Sequence, residues 1–183
     1  MVGVDGLGLH EVVAHGWTPA WSLGGRKIAY AWGEETSGAS IYVVNPDGSR
    51  RRLAAKPTTL ENLSGPSWSP DGQRLVFYVG QAPDSVAVPR YLGVVRDYGG
   101  RTTYVRRGHD PVQPAWSPTG GVIAFADSAR WISVLVLTSH RVTRLRFGRD
   151  PTWSPDGARI AFTRGGAIYA MNRDGSNVAR VTS

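Results

Sequence analysis

The chain has 183 residues, and its 41% hydrophobic and 10% aromatic content is typical of a globular protein rather than a disordered one. It has no cysteine, which excludes disulfides and thiolate metal sites, and no stretch approaches the roughly 20 apolar residues of a membrane-spanning helix. The net charge is +7, but the arginines fall into separate clusters instead of one basic stripe, which disfavours a nucleic-acid partner. Glycine and proline concentrate between short apolar runs, which predicts an all-β fold.

A twelve-residue segment recurs four times without a gap. The copies begin at Pro19, Pro66, Pro114 and Pro151 and read PAWSLGGRKIAY, PSWSPDGQRLVF, PAWSPTGGVIAF and PTWSPDGARIAF. The central Pro-Asp-Gly predicts a tight turn, because Pro presets φ and Gly accepts a positive φ. Apolar residues then alternate, as at Leu75 and Phe77, which predicts a strand with that face in the core.

A second repeated segment follows each copy of the first. The copies are IYVVNPDGSRRRLA from Ile41, LGVVRDYGGRTTYV from Leu92, SVLVLTSHRVTRLR from Ser133 and IYAMNRDGSNVARV from Ile168. Each reads as a strand, a glycine-centred or related turn, and a second strand. One repeat is therefore predicted to form four short antiparallel strands, and the motif tryptophans are 47, 48 and 37 residues apart, as expected for propeller blades.

The combined pattern, Pro-x-Trp-Ser-Pro-Asp-Gly-x-x-Ile-Ala-Phe followed by Ile-Tyr-x-x-Asn-x-Asp-Gly, resembles the TolB-type, WD-repeat-like propeller blade over almost the whole chain. The resemblance implies a β-propeller of four-stranded antiparallel blades, four to the chain. It favours an extracytoplasmic location, although residues 1–14 lack the features of a signal peptide. Such blades also occur in prolyl oligopeptidase-like enzymes, where the propeller gates a separate hydrolase domain, so the fold alone says little about function.

The repeats divide the chain into four predicted blades and a leading segment. The predicted units are a spare outer strand at 1–14, blade 1 at 15–61, blade 2 at 62–107, blade 3 at 108–148 and blade 4 at 149–183. Four blades are fewer than the six to eight usual in this family. A tight four-bladed ring, a fragment needing its other half, and two chains closing an eight-bladed ring are the three possible closures, and we expect the homodimer because blade packing is already self-complementary.

The motif tryptophans are predicted to form a repeated structural core, each packing against a neighbouring blade. They are Trp21, Trp68, Trp116 and Trp153.

The loops that enter the innermost strands carry the candidate binding residues. They are His15, Trp17, Asn62, His109, Asp110, Arg149 and Asp150. Polar and aromatic groups around a pore are the usual ligand position in such folds, so we expect these residues near one channel mouth. The alternative is that they form ordinary loop turns with solvated histidines.

No serine-hydrolase elbow, P-loop, dinucleotide fingerprint or metalloprotease motif is present, so the sequence predicts no catalytic residue, metal or cofactor. The favoured function is a non-enzymatic scaffold that binds a protein or peptide at a loop face or channel mouth. The alternative is the propeller domain of an enzyme, either a peptidase-gating or a polysaccharide-active propeller.

Overall fold

The computed structural model of the chain describes residues 10–34, 38–58, 61–81, 90–107 and 110–182. Blade 1 contains β1 (Trp17–Trp21), β2 (Ile28–Glu34), β3 (Gly38–Val44) and β4 (Arg52–Ala55). Blade 2 contains β5 (Glu61–Trp68), β6 (Arg74–Gln81), β7 (Tyr91–Arg96) and β8 (Thr103–Arg107). Blade 3 contains β9 (Val112–Trp116), β10 (Val122–Ala126), β11 (Trp131–Val136) and β12 (Val142–Phe147). Blade 4 contains β13 (Arg149–Trp153), β14 (Arg159–Arg164), β15 (Ala167–Asn172) and β16 (Ala179–Arg180).

Each blade is one sheet whose four strands pair in chain order, and every pairing is antiparallel. The prediction of an all-β propeller with four four-stranded blades is confirmed. None of the described residues forms a helix long and apolar enough to span a membrane.

The turn after the innermost strand forms as the Pro-Asp-Gly pattern predicts. In blade 2 the amide of Gly72 donates to the Ser69 carbonyl at 2.9 Å, and the Asp71 carboxylate accepts from the Gln73 amide at 3.0 Å. Gly72 has a φ of 64°, which glycine adopts without steric cost. The turn therefore closes the hairpin between the two inner strands of the blade.

The core lies between the blades. Alternate residues of β2, such as Ala29 and Ala31, belong to one buried apolar cluster with Leu75 and Phe77 of β6. A second apolar cluster joins blades 2 and 3, and a third joins blades 3 and 4. Because strand side chains alternate between faces, each inner blade buries one face on each neighbour.

The four motif tryptophans differ in burial. Trp68 and Trp116 are buried, and Trp153 is half-buried. Trp21, by contrast, is 52% exposed, so the prediction of a core position is wrong for this residue. The reason is that a motif tryptophan packs on the blade that precedes it, and the described residues supply no such blade before blade 1.

The outer faces of blades 1 and 4 are not packed on each other in the part of the chain that the structure describes. Ile41 of β3 is fully buried against blade 2, whereas Ile168, its equivalent in β15, is 43% exposed. The tight four-bladed ring is therefore not the arrangement seen. Residues 10–14 form no strand, and residues 10–13 line a groove beside Trp21 and Tyr30. Residues 1–9 of the predicted spare strand lie outside the described residues.

Candidate functional site

The innermost strand of every blade contains a bulge directly before the repeated proline. The residues at this position are Thr18, Gly65, Gln113 and Asp150, with φ values of 49°, 59°, 50° and 52°. The strand pairing shifts register at this point in each blade. We call these four residues the bulge arc, since the innermost strands of successive blades lie side by side.

Three members of the bulge arc carry side chains in a backbone region that disfavours them. A positive φ is rare for residues other than glycine and is a marked outlier for a β-branched residue such as Thr18. Each such residue costs on the order of 1–3 kcal/mol, which surrounding interactions must offset. The same strained backbone at equivalent positions of three blades indicates a constraint on where these side chains point.

Hydrogen bonds connect the bulges of neighbouring blades. The Gly65 amide donates to Thr18 Oγ1 at 3.2 Å, which joins blades 2 and 1. The Asp150 amide donates to Gln113 Oε1 at 3.2 Å, which joins blades 4 and 3. In both cases the bulge side chain of one blade accepts from the bulge amide of the next, so the strain is partly compensated and the side chains are held in place.

The carboxylate of Asp150, the charged group of the bulge arc, is held by two side chains. One oxygen accepts from Gln113 Nε2, and the other accepts from Thr163 Oγ1 at 2.7 Å. Asp150 nevertheless stays exposed, as does the neighbouring Arg149. The arc therefore presents an oriented carboxylate, and the exposed Arg149 precedes it in the chain.

The other predicted binding residues have different surroundings. Trp17 begins β1 and is 41% exposed, and His15 is exposed just before it with a φ of 55°. Asn62 Oδ1 accepts from the Ala39 amide at 2.7 Å, so this side chain fastens blade 2 to blade 1. Asp110 accepts from Ser128 Oγ at 3.2 Å within blade 3, and His109 lies outside the described residues.

The sequence pattern identifies Asp150, a member of the arc, and the preceding Arg149 as candidates, but it does not identify Thr18, Gln113 or Thr163. The available signal was positional, because each bulge residue stands immediately before the repeated proline. Strand alternation treats that position as an ordinary strand residue, and only the register shift reveals it.

A buried carboxylate lies away from the bulge arc, at the junction of blades 1 and 2. Glu61 is 4% exposed and accepts from Thr58 Oγ1 at 3.0 Å and from Tyr91 Oη. Burial and the adjacent carboxylate both raise the pKa of Tyr91. These bonds keep Glu61 in a structural role. Among the described residues, no group of three or more His, Asp or Glu side chains could hold a metal ion.

No protein-family model matches the sequence. The "Uncharacterized peptidase YuxL" of Bacillus subtilis (strain 168) is 27% identical over 156 residues, covering 79% of this chain and 21% of that protein. The Tol-Pal system protein TolB of Alcanivorax borkumensis is 39% identical over 61 residues, covering 33% of this chain and 13% of that protein.

Solved structures share the fold more completely. TolB from Acinetobacter baumannii superposes with a TM-score of 0.81 at 22% identity, covering 99% of this chain and 47% of that one. Oligogalacturonate lyase from Vibrio parahaemolyticus gives 0.60 at 16% identity, covering 79% of this chain and 45% of that one. The chain thus spans about half of each structure and about a fifth of the Bacillus protein. The predicted resemblance to TolB-type blades is confirmed for the fold.

Proposed function

We propose that this chain, a series of four TolB-type β-propeller blades, is a non-enzymatic scaffold that binds a protein or peptide partner at the bulge arc, at the channel mouth. The observation that carries this proposal is the repeated positive φ at Thr18, Gln113 and Asp150. Strained backbone persists where the surrounding structure holds it, and such outliers cluster at binding and catalytic sites.

The chemistry around the bulge arc suits a peptide. Exposed Trp17 offers an aromatic anchor, Thr18 offers a hydroxyl, and Arg149 and Asp150 offer charges of both signs. Aromatic residues and arginine dominate the binding energy of many protein interfaces. The Alcanivorax relative is named for the Tol-Pal system, which favours a protein partner here as well. The same resemblance leads us to propose an extracytoplasmic location.

The arrangement favours binding over catalysis. The Asp150 carboxylate is occupied by Gln113 and Thr163, and a general base needs free access to a substrate proton. The competing function, a propeller domain of an enzyme, is supported by the similarity to a Bacillus protein named as a peptidase and to a lyase structure. In that case the chain positions or admits a substrate for chemistry carried out elsewhere.

Selection of peptides from a random display library, followed by isothermal titration calorimetry, tests the proposal. Selected peptides should lose at least about tenfold in affinity with Asp150→Ala or Trp17→Ala, since each removes a contact worth roughly 1.4 kcal/mol or more. The control is Thr138→Ala, an exposed change in the β11–β12 turn at the other end of blade 3. Unchanged affinity in both site variants contradicts the proposal, as does turnover of a peptide or oligogalacturonate that Asp150→Ala abolishes.

A further inference from the structure

A cavity of about 540 Å³ opens between blades 3 and 4, near the turns at the end of the blades opposite the bulge arc. Its apolar floor includes Val122, Val134 and Leu145, all of which are buried in the structure. Two exposed arginines, Arg141 and Arg173, line the same cavity. This volume falls in the range of small-molecule sites, and the cavity is a broad groove, open to solvent, with an apolar floor and a polar rim.

The corresponding space between blades 1 and 2 is filled by an ion-paired cluster. Asp97 is 4% exposed, and its carboxylate accepts from Arg52 Nη2 at 2.6 Å and from Lys27 Nζ. Arg52 Nε also donates to the Asp97 carbonyl at 3.1 Å. Two cations and one buried carboxylate therefore occupy that junction.

Backbone bonds establish which residues are equivalent at the two junctions. The carbonyls of Lys27 and Val122 accept matching turn bonds from Ser22 and Ser117. The amides of Asp97 and Arg173 donate matching bonds to Gln73 and Ala158. Arg52 and Thr143 form the third equivalent pair. Arg52 pairs with Val43 in blade 1, and Thr143 pairs with the equivalent Val134 in blade 3.

Three replacements therefore distinguish the lining of this cavity from the ion-paired cluster of the first junction. Val122 replaces Lys27 and Thr143 replaces Arg52. Arg173 replaces the buried Asp97.

Among the described residues, the junction between blades 2 and 3 has neither the ion-paired cluster nor the arginine-lined cavity. Leu137 is the residue equivalent to Asp97, and it packs in an apolar cluster at that junction. Blades 1 and 2 also leave an open pocket, of about 460 Å³, but it is lined by other residues, such as Leu53, Ala55 and Gly100.

The rim carries two positive charges and one negative charge, since Asp174 lines the cavity together with Arg141 and Arg173. In the described part of the chain, neither Arg141 nor Arg173 forms an ion pair, and Arg173 lies 6.0 Å from the centre of the Trp153 ring. Oδ1 of Asp174 accepts from the amide and hydroxyl of Ser176 at 2.9 and 2.6 Å, which holds this carboxylate on the β15–β16 turn. The rim therefore offers two guanidinium groups to an anion.

We propose that the cavity between blades 3 and 4 binds an aliphatic carboxylate, with the apolar chain over Val122, Val134 and Leu145 and the carboxylate between Arg141 and Arg173. A guanidinium binds a carboxylate through charge-assisted, often bidentate hydrogen bonds, which gives the site its preference for this group. The apolar floor selects against small hydrophilic anions such as acetate, because they leave it uncovered.

Titration with octanoate, followed by ¹⁵N chemical shifts of the cavity residues, tests this proposal. Octanoate should bind saturably, octanamide and acetate should bind at least about tenfold more weakly, and Arg173→Gln and Arg141→Gln should each weaken octanoate about tenfold or more. Arg26→Gln, an exposed arginine in the first turn of blade 1, is the matched control and should change nothing.

A triple variant provides a second test, which combines loss of Arg173 with filling of the cavity. Val122→Lys, Thr143→Arg and Arg173→Asp together rebuild the ion-paired cluster of the first junction, and should abolish octanoate binding by filling the cavity. The two single arginine variants decide the matter if the triple variant fails to fold. Absence of saturable binding to the wild type, equal affinity for octanamide, or unchanged binding in both single variants overturns the proposal.

Discussion

The indole Nε1 of Trp68 donates a hydrogen bond of 3.0 Å to the carbonyl oxygen of Ala20 and so fastens blade 2 to the innermost strand of blade 1. Trp153 makes the same bond to Ala115, at 3.0 Å, between blades 4 and 3. Trp116 occupies the equivalent position and is buried, but its indole nitrogen has no hydrogen-bond partner in the described structure. The repeated tryptophan therefore packs at all three junctions between the blades, but its indole nitrogen forms a hydrogen bond at two of them.

We expect Trp68→Phe to reduce the free energy of unfolding by about 1–2 kcal/mol more than Trp116→Phe. Both changes replace a buried indole that lies near a cationic side chain with a smaller ring. Only Trp68→Phe also removes a hydrogen bond, because the Ala20 carbonyl loses its indole donor. Urea denaturation of the two variants measures the difference. An equal loss, or a larger one for Trp116→Phe, would show that the bond between Trp68 and Ala20 does not contribute.

Truncating Phe77 should cost roughly 3–5 kcal/mol, because this side chain is fully buried in the core between blades 1 and 2. Phe147 is the control, since it is 42% exposed at the end of β12, and Phe147→Ala should cost less than about 1.5 kcal/mol. Chemical denaturation of both variants tests the assignment. A loss below about 1 kcal/mol for Phe77→Ala would place that ring outside the core.

The aspartates of the turns make the free energy of unfolding depend on pH in the acidic range. A hydrogen bond from the Ser69 hydroxyl, then one from the Gln73 amide, lower the pKa of Asp71 below its ordinary value of 3.8. A lowered folded-state pKa contributes stability that is present above pH 3.8 and is lost as the pH falls through the folded-state value. Stability should therefore decrease on acidification in that range.

NMR titration of the Asp71 carboxyl checks this directly. Ser69→Ala should raise the pKa of Asp71 towards its ordinary value, because the largest cause of the shift is removed. Ser154→Ala is the matched control in blade 4, and should raise the pKa of Asp156 while leaving that of Asp71 unchanged. A pKa of Asp71 that does not move in Ser69→Ala contradicts the assigned cause.

Much of the fold follows from local sequence. The Pro-Asp-Gly turns and the alternation at Leu75 and Phe77 predict the hairpins and the buried face, because turn chemistry and strand period act over a few residues. The burial of Trp21 could not be predicted in this way. Its local sequence matches that of Trp68, but burial depends on a neighbouring blade, which the local pattern does not reveal.

The candidate site was less accessible from the sequence. Threonine and the residue before a proline both disfavour a positive φ, so nothing local indicates that Thr18 forms a bulge. The loop position of Asn62 predicts a place near the channel mouth, but it does not predict that the amide oxygen accepts from the Ala39 backbone. Long-range pairing between blades determines both outcomes.

We expect a second copy of the chain to close an eight-bladed ring, with blade 1 of each chain packed on blade 4 of the other. Trp21 and Ile168 are 52% and 43% exposed, whereas their equivalents Trp68 and Ile41 are buried at a blade junction. Light scattering at micromolar concentration should give twice the chain mass of 19.8 kDa, and Trp21→Asp should return the mass to 19.8 kDa. A wild-type mass of 19.8 kDa contradicts the dimer.

Mapping a selected peptide by amide chemical shifts tests the central claim, partner binding at the bulge arc, most directly. On addition of the peptide, the largest shifts should fall on the amides of Gly65 and Asp150, which donate to the neighbouring bulges, and on Trp17 and Thr18. Smaller shifts are expected at Val134 and Leu145 in the cavity between blades 3 and 4. Largest shifts at that cavity, or at Trp21 and Ile168 on the blade faces, with none at the bulge arc, would contradict the account.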